Sequence, residues 1–128
     1  RWLAKKKTGE AFNEVFVDFG KKTFGVDVAV LFKEHSDRHR EGRLSGAPDI
    51  VAEIVSDDSS TRDRIDKFKA YWEYQVPWYW IGDPTAGTLE EYQWTAQGYV
   101  RTSEGSLDNP FEPRALPGLK VDMATLVE

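Results

Sequence analysis

An α+β domain with a mixed β-sheet is the fold class this sequence predicts, and three observations predict it. Residues 11–19 and 24–32 are two β-rich runs joined by a glycine turn, the pattern of an antiparallel hairpin. Residues 49–55, Asp-Ile-Val-Ala-Glu-Ile-Val, form a β-branched run that reads as a buried strand. A helical pattern follows and ends at Pro77, beyond which a further apolar run begins. The order is β-β-β-α-β-β with flanking helices, an α/β sandwich-like layering.

In the first strand Phe12, Val15 and Val17 are interleaved with acids. Gly20-Lys21-Lys22 makes the turn, and the second strand carries Asp27 in its middle. Residues 33–47 are charged, contain glycine and show no hydrophobic period, which predicts an exposed loop. A loop of that length in a compact domain is often functional. After the third strand, Ser60 is placed to cap the helix, with Asp63 answering it as in a capping box. Ile65, Phe68 and Trp72 recur at helical spacing and are expected to pack on the sheet. Residues 78–81 predict a fourth, fully buried strand. A turn at 83–87 then leads into a final hairpin of 88–94 with 99–102. A proline-rich tail, 109–117, precedes a segment at 119–126 expected to dock on the domain.

The length of 128 residues fits one domain, residues 1–128, with a modest core. A hydrophobic share of 40% with 13% aromatics marks a globular chain, not a disordered one. No apolar run approaches the roughly 20 residues of a membrane span and no signal peptide is visible, so the cytoplasm is the default compartment. The absence of cysteine excludes disulfides and thiolate metal sites. A net charge of −5 argues against a protein that coats nucleic acid non-specifically. It leaves room for a nuclease, because a metal site concentrates acids and a bound cation inverts the local charge. Basic residues cluster at 5–7, 35–43 and 62–69, where solvated surface is the simplest reading. The chain opens at Arg1 in what reads as the end of a helix, so further helical elements are expected upstream.

Carboxylates inside an apolar strand are costly unless paired, and a divalent cation is a common partner. Asp49 and Glu53 share a strand face but stand about 13 Å apart, too far to chelate one ion together. Asp27 sits mid-strand in the neighbouring run, and adjacent strands lie about 4.8 Å apart, so Asp27 and Glu53 can converge on one Mg²⁺. The competing readings are a turn residue for Asp27 and a rim ion pair for Glu53. Lys67 lies one helical turn beyond Asp63 and one before Tyr71. It can be a surface ion-pair partner of Asp63 or an ammonium placed over a scissile phosphate. His35 and His39 sit in the loop without an acidic third ligand. No histidine is placed to activate Ser56, Ser59 or Ser60, and no glycine-rich phosphate loop is present. Trp72, Trp78 and Trp80 fall where the core is expected.

Five segments then follow in a familiar order: Gly25-Val-Asp-Val-Ala-Val30, Pro48-Asp-Ile-Val-Ala-Glu-Ile-Val-Ser56, Ser60-Thr-Arg-Asp-Arg-Ile-Asp-Lys67, Tyr71, and Val76-Pro-Trp-Tyr-Trp-Ile-Gly-Asp-Pro84. Together with Leu116-Pro-Gly-Leu-Lys-Val-Asp122 they resemble the Uma-type endonucleases, a bacterial group of the PD-(D/E)xK restriction-endonuclease-like superfamily. The resemblance runs over residues 9–127. It implies a restriction-endonuclease-like core that hydrolyses DNA phosphodiesters through a water activated by Mg²⁺ or Mn²⁺, and a homodimer. It implies that Asp27 and Glu53 are the metal-binding acids, that Lys67 stands in for the motif lysine, and that Asp49 is a more distant or weaker ligand. Val55 occupies the position where the superfamily motif has its lysine, Val26 replaces the family's proline, Gln75 its glycine and Trp78 its acid. Two other classes fit the same residues: a catalytically degenerate nuclease fold that only binds DNA or a protein, and a small dimerisation domain with exposed Trp and Tyr.

Overall fold

The structure, a computed structural model, describes residues 8–55 and 61–122, and of Thr61 and Asp63 the backbone alone. The Ser60 cap, the Asp63 side chain, the basic run 5–7 and residues 123–126 of the C-terminal segment lie outside the described residues. The chain forms strands β1 (Gly9–Asp18) and β2 (Thr23–Phe32), a 3₁₀ turn (Lys33–Arg38), and short strands β3 (His39–Arg40) and β4 (Arg43–Ser45). Then come β5 (Ile50–Ile54), helix α1 (Thr61–Glu73), β6 (Trp78–Asp83), β7 (Thr88–Thr95) and β8 (Gly98–Gly105).

All eight described strands form one sheet in the order β3-β4-β1-β2-β5-β6-β7-β8. β5 and β6 are parallel, and a parallel pair needs a crossover, which α1 supplies. β1–β2, β2–β5, β6–β7 and β7–β8 are antiparallel. The mixed sheet agrees with the sequence expectation, whereas the strand count among the described residues is higher than expected. Residues 33–47 are no plain loop: they hold the 3₁₀ turn and two strands, and Leu44 is wholly buried where β4 runs parallel to β1. A lone leucine in a charged segment shows no period, so pattern reading passes over it. Among the described residues α1 is the one α-helix.

The main core lies between α1 and the sheet, with Val15, Val17, Val26, Leu31, Val51 and Tyr71 at its centre. A smaller core on the other face joins Val30, Ile50 and Leu116, with Trp78 and Trp80 half-buried against it. The fourth strand is therefore not fully buried: Tyr79 enters the main core while its tryptophan neighbours are covered in part by the tail. Val26 and Ala29 both belong to the main core, a spacing that strict alternation forbids. Opposite that step Glu14 has φ +48°, and the ladder passes from Asn13–Val28 to Val15–Val26 without pairing Glu14 with Asp27. The irregularity lies at Asp27.

Phe68 packs on Tyr79 and Tyr99 and Trp72 on Trp94, as their spacing suggests, but the most deeply buried face of the helix is the neighbouring one. Ile65 and Phe68 remain 46% and 41% exposed, while Ala70 and Tyr71 are buried and Tyr74 stacks on Phe19. Lys67, Ala70, Tyr71 and Tyr74 have i, i+3, i+4, i+7 spacing and make the inward stripe. Tyr71 sits deepest because its aromatic body fills the core while its hydroxyl finds a polar partner. Beyond the helix, Val76 N–H returns to the Tyr71 carbonyl across Gln75, which has φ +58°. A left-handed residue is a common helix stop that favours glycine. Gln75→Gly is expected to stabilise the fold by about 1 kcal/mol, read as a higher urea midpoint at unchanged slope. A lower midpoint would mean that the Gln75 side chain makes a contact worth more than the strain.

The tail is anchored by Glu91, which is fully buried on β7. Its Oε1 accepts from Thr102 Oγ1 (2.7 Å) and Arg114 N–H (2.9 Å), and its Oε2 from Trp80 Nε1 (3.1 Å) and Ala115 N–H (3.0 Å). At Gly105 a Cβ would come within 2.6 Å of Phe111, so glycine permits the tail to lie close. No described helix is long and apolar enough to cross a membrane.

Candidate active site

β2 and β5 run side by side only as far as Val28 and Ala52. The next pair would be Asp27 with Glu53, and there the ladder opens into a fork. β5 keeps its other partner, with Glu53 beside Ile81 and Ile54 beside Gly82. Val55 N–H turns to β6, donating to the Gly82 carbonyl at 2.8 Å, so the Ile54 N–H turns toward β2. It finds no backbone acceptor there and donates to Asp27 Oδ2 at 2.7 Å. Asp27 thus takes the place of a strand carbonyl and is fixed in the fork.

Glu53 enters the same notch from β5, where α1 reaches it. The Tyr71 hydroxyl donates to Glu53 Oε1. One turn earlier on the helix, Lys67 places Nζ 3.7 Å from that oxygen and donates to the Gly25 carbonyl at 3.0 Å. The Glu53 and Lys67 side chains are 13% and 21% exposed, so solvent screens this pair weakly. Burial is the largest influence on the Glu53 carboxyl and lifts its pKa above the ordinary 4.5. The Tyr71 hydrogen bond and the Lys67 charge pull it down, while the charge and hydrogen bond of Asp27 push it up. Burial, then Glu53, raises the Tyr71 hydroxyl above its ordinary 10, so it remains a donor.

Asp27, Glu53 and Lys67, singled out in the sequence, therefore come together. Asp49 does not join them. It precedes β5, about 13 Å along the strand from Glu53, and its carboxylate accepts from Phe32 N–H (2.7 Å) and pairs with His35 Nδ1 (2.8 Å). Sequence reading passed over that His35 pair, and it gave Tyr71 no role. Its position one turn beyond Lys67, on the stripe that faces the sheet, was the available signal. Chemically the fork offers two converging carboxylates, an ammonium and a phenol. The acids form an oxygen-only donor pair of the kind hard cations take. Among the described residues no group of three or more His, Asp or Glu could hold an ion, so a cation here would draw its remaining ligands from water or backbone carbonyls. Mg²⁺ commonly binds in that way.

A family model, Uma2, described as "Putative restriction endonuclease", matches residues 1–124. The chain belongs to the Uma2 family. The family resemblance carried by the sequence motifs is borne out. A similar solved structure is the crystal structure of a "putative nuclease belonging to DUF820" from Anabaena variabilis ATCC 29413. Its TM-score is 0.75 at 21% identity, over 98% of this chain and 71% of that one. At that identity the likeness speaks for the fold, a mixed eight-stranded sheet with few helices. No curated protein matches the Uma2-family chain.

Proposed function

We propose that this Uma2-family chain is a metal-dependent nuclease of the restriction-endonuclease-like class that hydrolyses DNA phosphodiester bonds. The observation that carries the reading is the convergence of Asp27, Glu53 and Lys67 where the β2–β5 ladder opens. Asp27 and Glu53 would hold Mg²⁺ or Mn²⁺, an ion that when bound polarises a phosphoryl oxygen and acidifies water. Lys67, steadied by the Gly25 carbonyl, sets a positive charge beside the position where negative charge develops on the phosphate. Tyr71 fixes the rotamer of Glu53 from the closed, helix side of the site. Family membership supports the same chemistry.

A second reading, a nuclease fold that binds without cutting, is favoured by one observation: the described acids of the fork number only two. Calorimetry with Mg²⁺ and Mn²⁺, alongside plasmid cleavage, separates the readings when run on wild type and Asp27→Asn. The nuclease reading expects one binding event that the substitution removes, with cleavage falling on the order of a hundredfold or more. Failure of the wild type to take up either ion overturns metal-dependent catalysis and leaves the binding module.

A further inference from the structure

Tyr79 of β6 lies among aromatic rings beneath α1. It is 5% exposed, and its ring centroid lies 5.3 Å from that of Tyr71, 5.9 Å from Phe68 and 5.8 Å from Tyr99. The tyrosines around it deliver their hydroxyls to acceptors: Tyr71 to Glu53, Tyr99 to the Val76 carbonyl, and Tyr92, opposite on β7, to Glu90. The Tyr79 hydroxyl has no hydrogen-bond partner among the described residues. Because no fully buried side-chain oxygen among them lacks a partner, this oxygen touches solvent. A phenol packed this deeply normally donates to a protein acceptor. One that faces water instead keeps its donor available to a ligand.

Register puts this hydroxyl on the fork's own face of the sheet. Tyr79 stands two residues before Ile81, and Ile81 lies beside Glu53. The Tyr79 and Glu53 backbones are therefore about 8 Å apart, with both side chains on the side of α1. Because α1 returns from the end of β5 to the start of β6, its first turns cover the Glu53 end of the sheet. Arg64 stands there, one turn before Phe68, which itself touches Tyr79. Burial, then the charge of Glu53, holds the Tyr79 hydroxyl above its ordinary 10, and the Arg64 charge acts on it in the opposite sense. The phenol thus keeps its proton at neutral pH. Arg64 is exposed and makes no ion pair with a described residue, unlike Arg62, which pairs with Asp66 at 3.5 Å. Farther across this face, Glu90 and Glu104 are both held by Arg101, at 3.1 and 3.2 Å.

We propose that the Tyr79 hydroxyl and the Arg64 guanidinium seat a phosphate of the DNA backbone on the β6 side of the fork. This rests on the nuclease reading for its substrate. Lys67 is tied toward β2 through the Gly25 carbonyl, so Tyr79 and Arg64 supply donors on the opposite side of Glu53. A phosphate is the occupant because it accepts from a neutral O–H and engages a guanidinium through two oxygens at once. Asp27 and Glu53 by themselves repel that phosphate, and a cation between them removes the repulsion. The packed rings fix the Tyr79 donor in place, whereas Arg64 supplies charge from the solvent side.

The test is anisotropy of a short labelled duplex, with and without Ca²⁺ and at several salt concentrations, on wild type, Tyr79→Phe, Arg64→Ala and Arg64→Lys. Tyr79→Phe keeps the ring and removes only the hydroxyl. It is expected to weaken binding in Ca²⁺ about tenfold at an unchanged salt slope. It should melt no lower than wild type, because no internal hydrogen bond is lost. Arg64→Ala should weaken binding about tenfold and lower the slope by about one, while Arg64→Lys keeps the slope. Wild-type affinity in Tyr79→Phe overturns the seat, whatever its melting temperature, as does a wild type that ignores the duplex at low salt. Plasmid cleavage in Mg²⁺ is scored on the same proteins. Cleavage that Tyr79→Phe and Arg64→Ala leave unchanged removes the seat and leaves the nuclease standing. Binding that depends on both residues, without any cleavage by wild type, supports the seat and removes the nuclease.

Discussion

Replacing Glu53 with glutamine is expected to make the metal-free protein more stable at neutral pH while removing the proposed cation site and the proposed cleavage. Burial raises the Glu53 pKa in the folded chain above 4.5, so folding favours the protonated carboxyl. That preference contributes stability in full below the unfolded-state pKa and is lost as pH rises through the folded-state value. Glutamine mimics the protonated form at every pH. It can still accept from Tyr71, and its amide can donate to Asp27. The difference in melting temperature between variant and wild type should therefore open as pH rises and close in acid. Mg²⁺ reverses the order. At a free concentration a hundred times its Kd, an ion adds about 2.7 kcal/mol to the form that binds it, about 10 °C for a chain of this size. Wild type should show that gain and the glutamine variant none, with cleavage reduced on the order of a hundredfold or more. A variant less stable than wild type at neutral pH, and shifted equally by Mg²⁺, would make Glu53 a structural carboxylate.

The largest loss of stability is expected at Glu91, remote from the fork. Glu91→Ala leaves an indole N–H and the N–H groups of Arg114 and Ala115 without their acceptor, and the Thr102 hydroxyl with only the longer bond to the residue-91 carbonyl. Each buried donor left unsatisfied costs about 1–3 kcal/mol. Some of these groups will reach water, so a loss of about 4 kcal/mol is expected, a large share of the stability of a small domain. Because Arg114 and Ala115 immediately precede Leu116 of the second core, the tail should loosen with it. Chemical denaturation gives the stability, and amide exchange at Arg114 and Ala115 reports the anchor directly. A loss below about 1 kcal/mol with both amides still protected would show that packing of Phe111 and Leu116 holds the tail unaided.

How much of this was legible beforehand can be argued residue by residue. Asp27 and Glu53 stood out because each interrupts a β-branched run, where a charge is hard to accommodate. Lys67 was legible as a residue one turn from Tyr71, but its direction was not. Phe68 and Trp72 reach the sheet as their spacing suggests, against Tyr79, Tyr99 and Trp94, but the deepest stripe begins with a lysine and continues through tyrosines, which the apolar pattern does not mark. Nothing in the sequence marks Glu91, one of two adjacent glutamates on a hairpin strand. What buries it is a tail more than twenty residues later, whose amides supply the donors. His35 and Asp49 are likewise joined only by the 3₁₀ turn that folds one over the other.

By itself the sequence determined the local elements: the β1–β2 hairpin, the β5 strand with its carboxylate, the crossover helix and the β7–β8 hairpin. Each rests on patterns of period two or 3.6, which neighbouring residues set. Only the tertiary structure decided where the β2–β5 ladder opens, which face of α1 is most deeply buried, and which donors satisfy each buried acid. Those outcomes depend on groups far apart in the chain competing for the same donors and the same volume. The competition is settled by packing and desolvation, which no local period records.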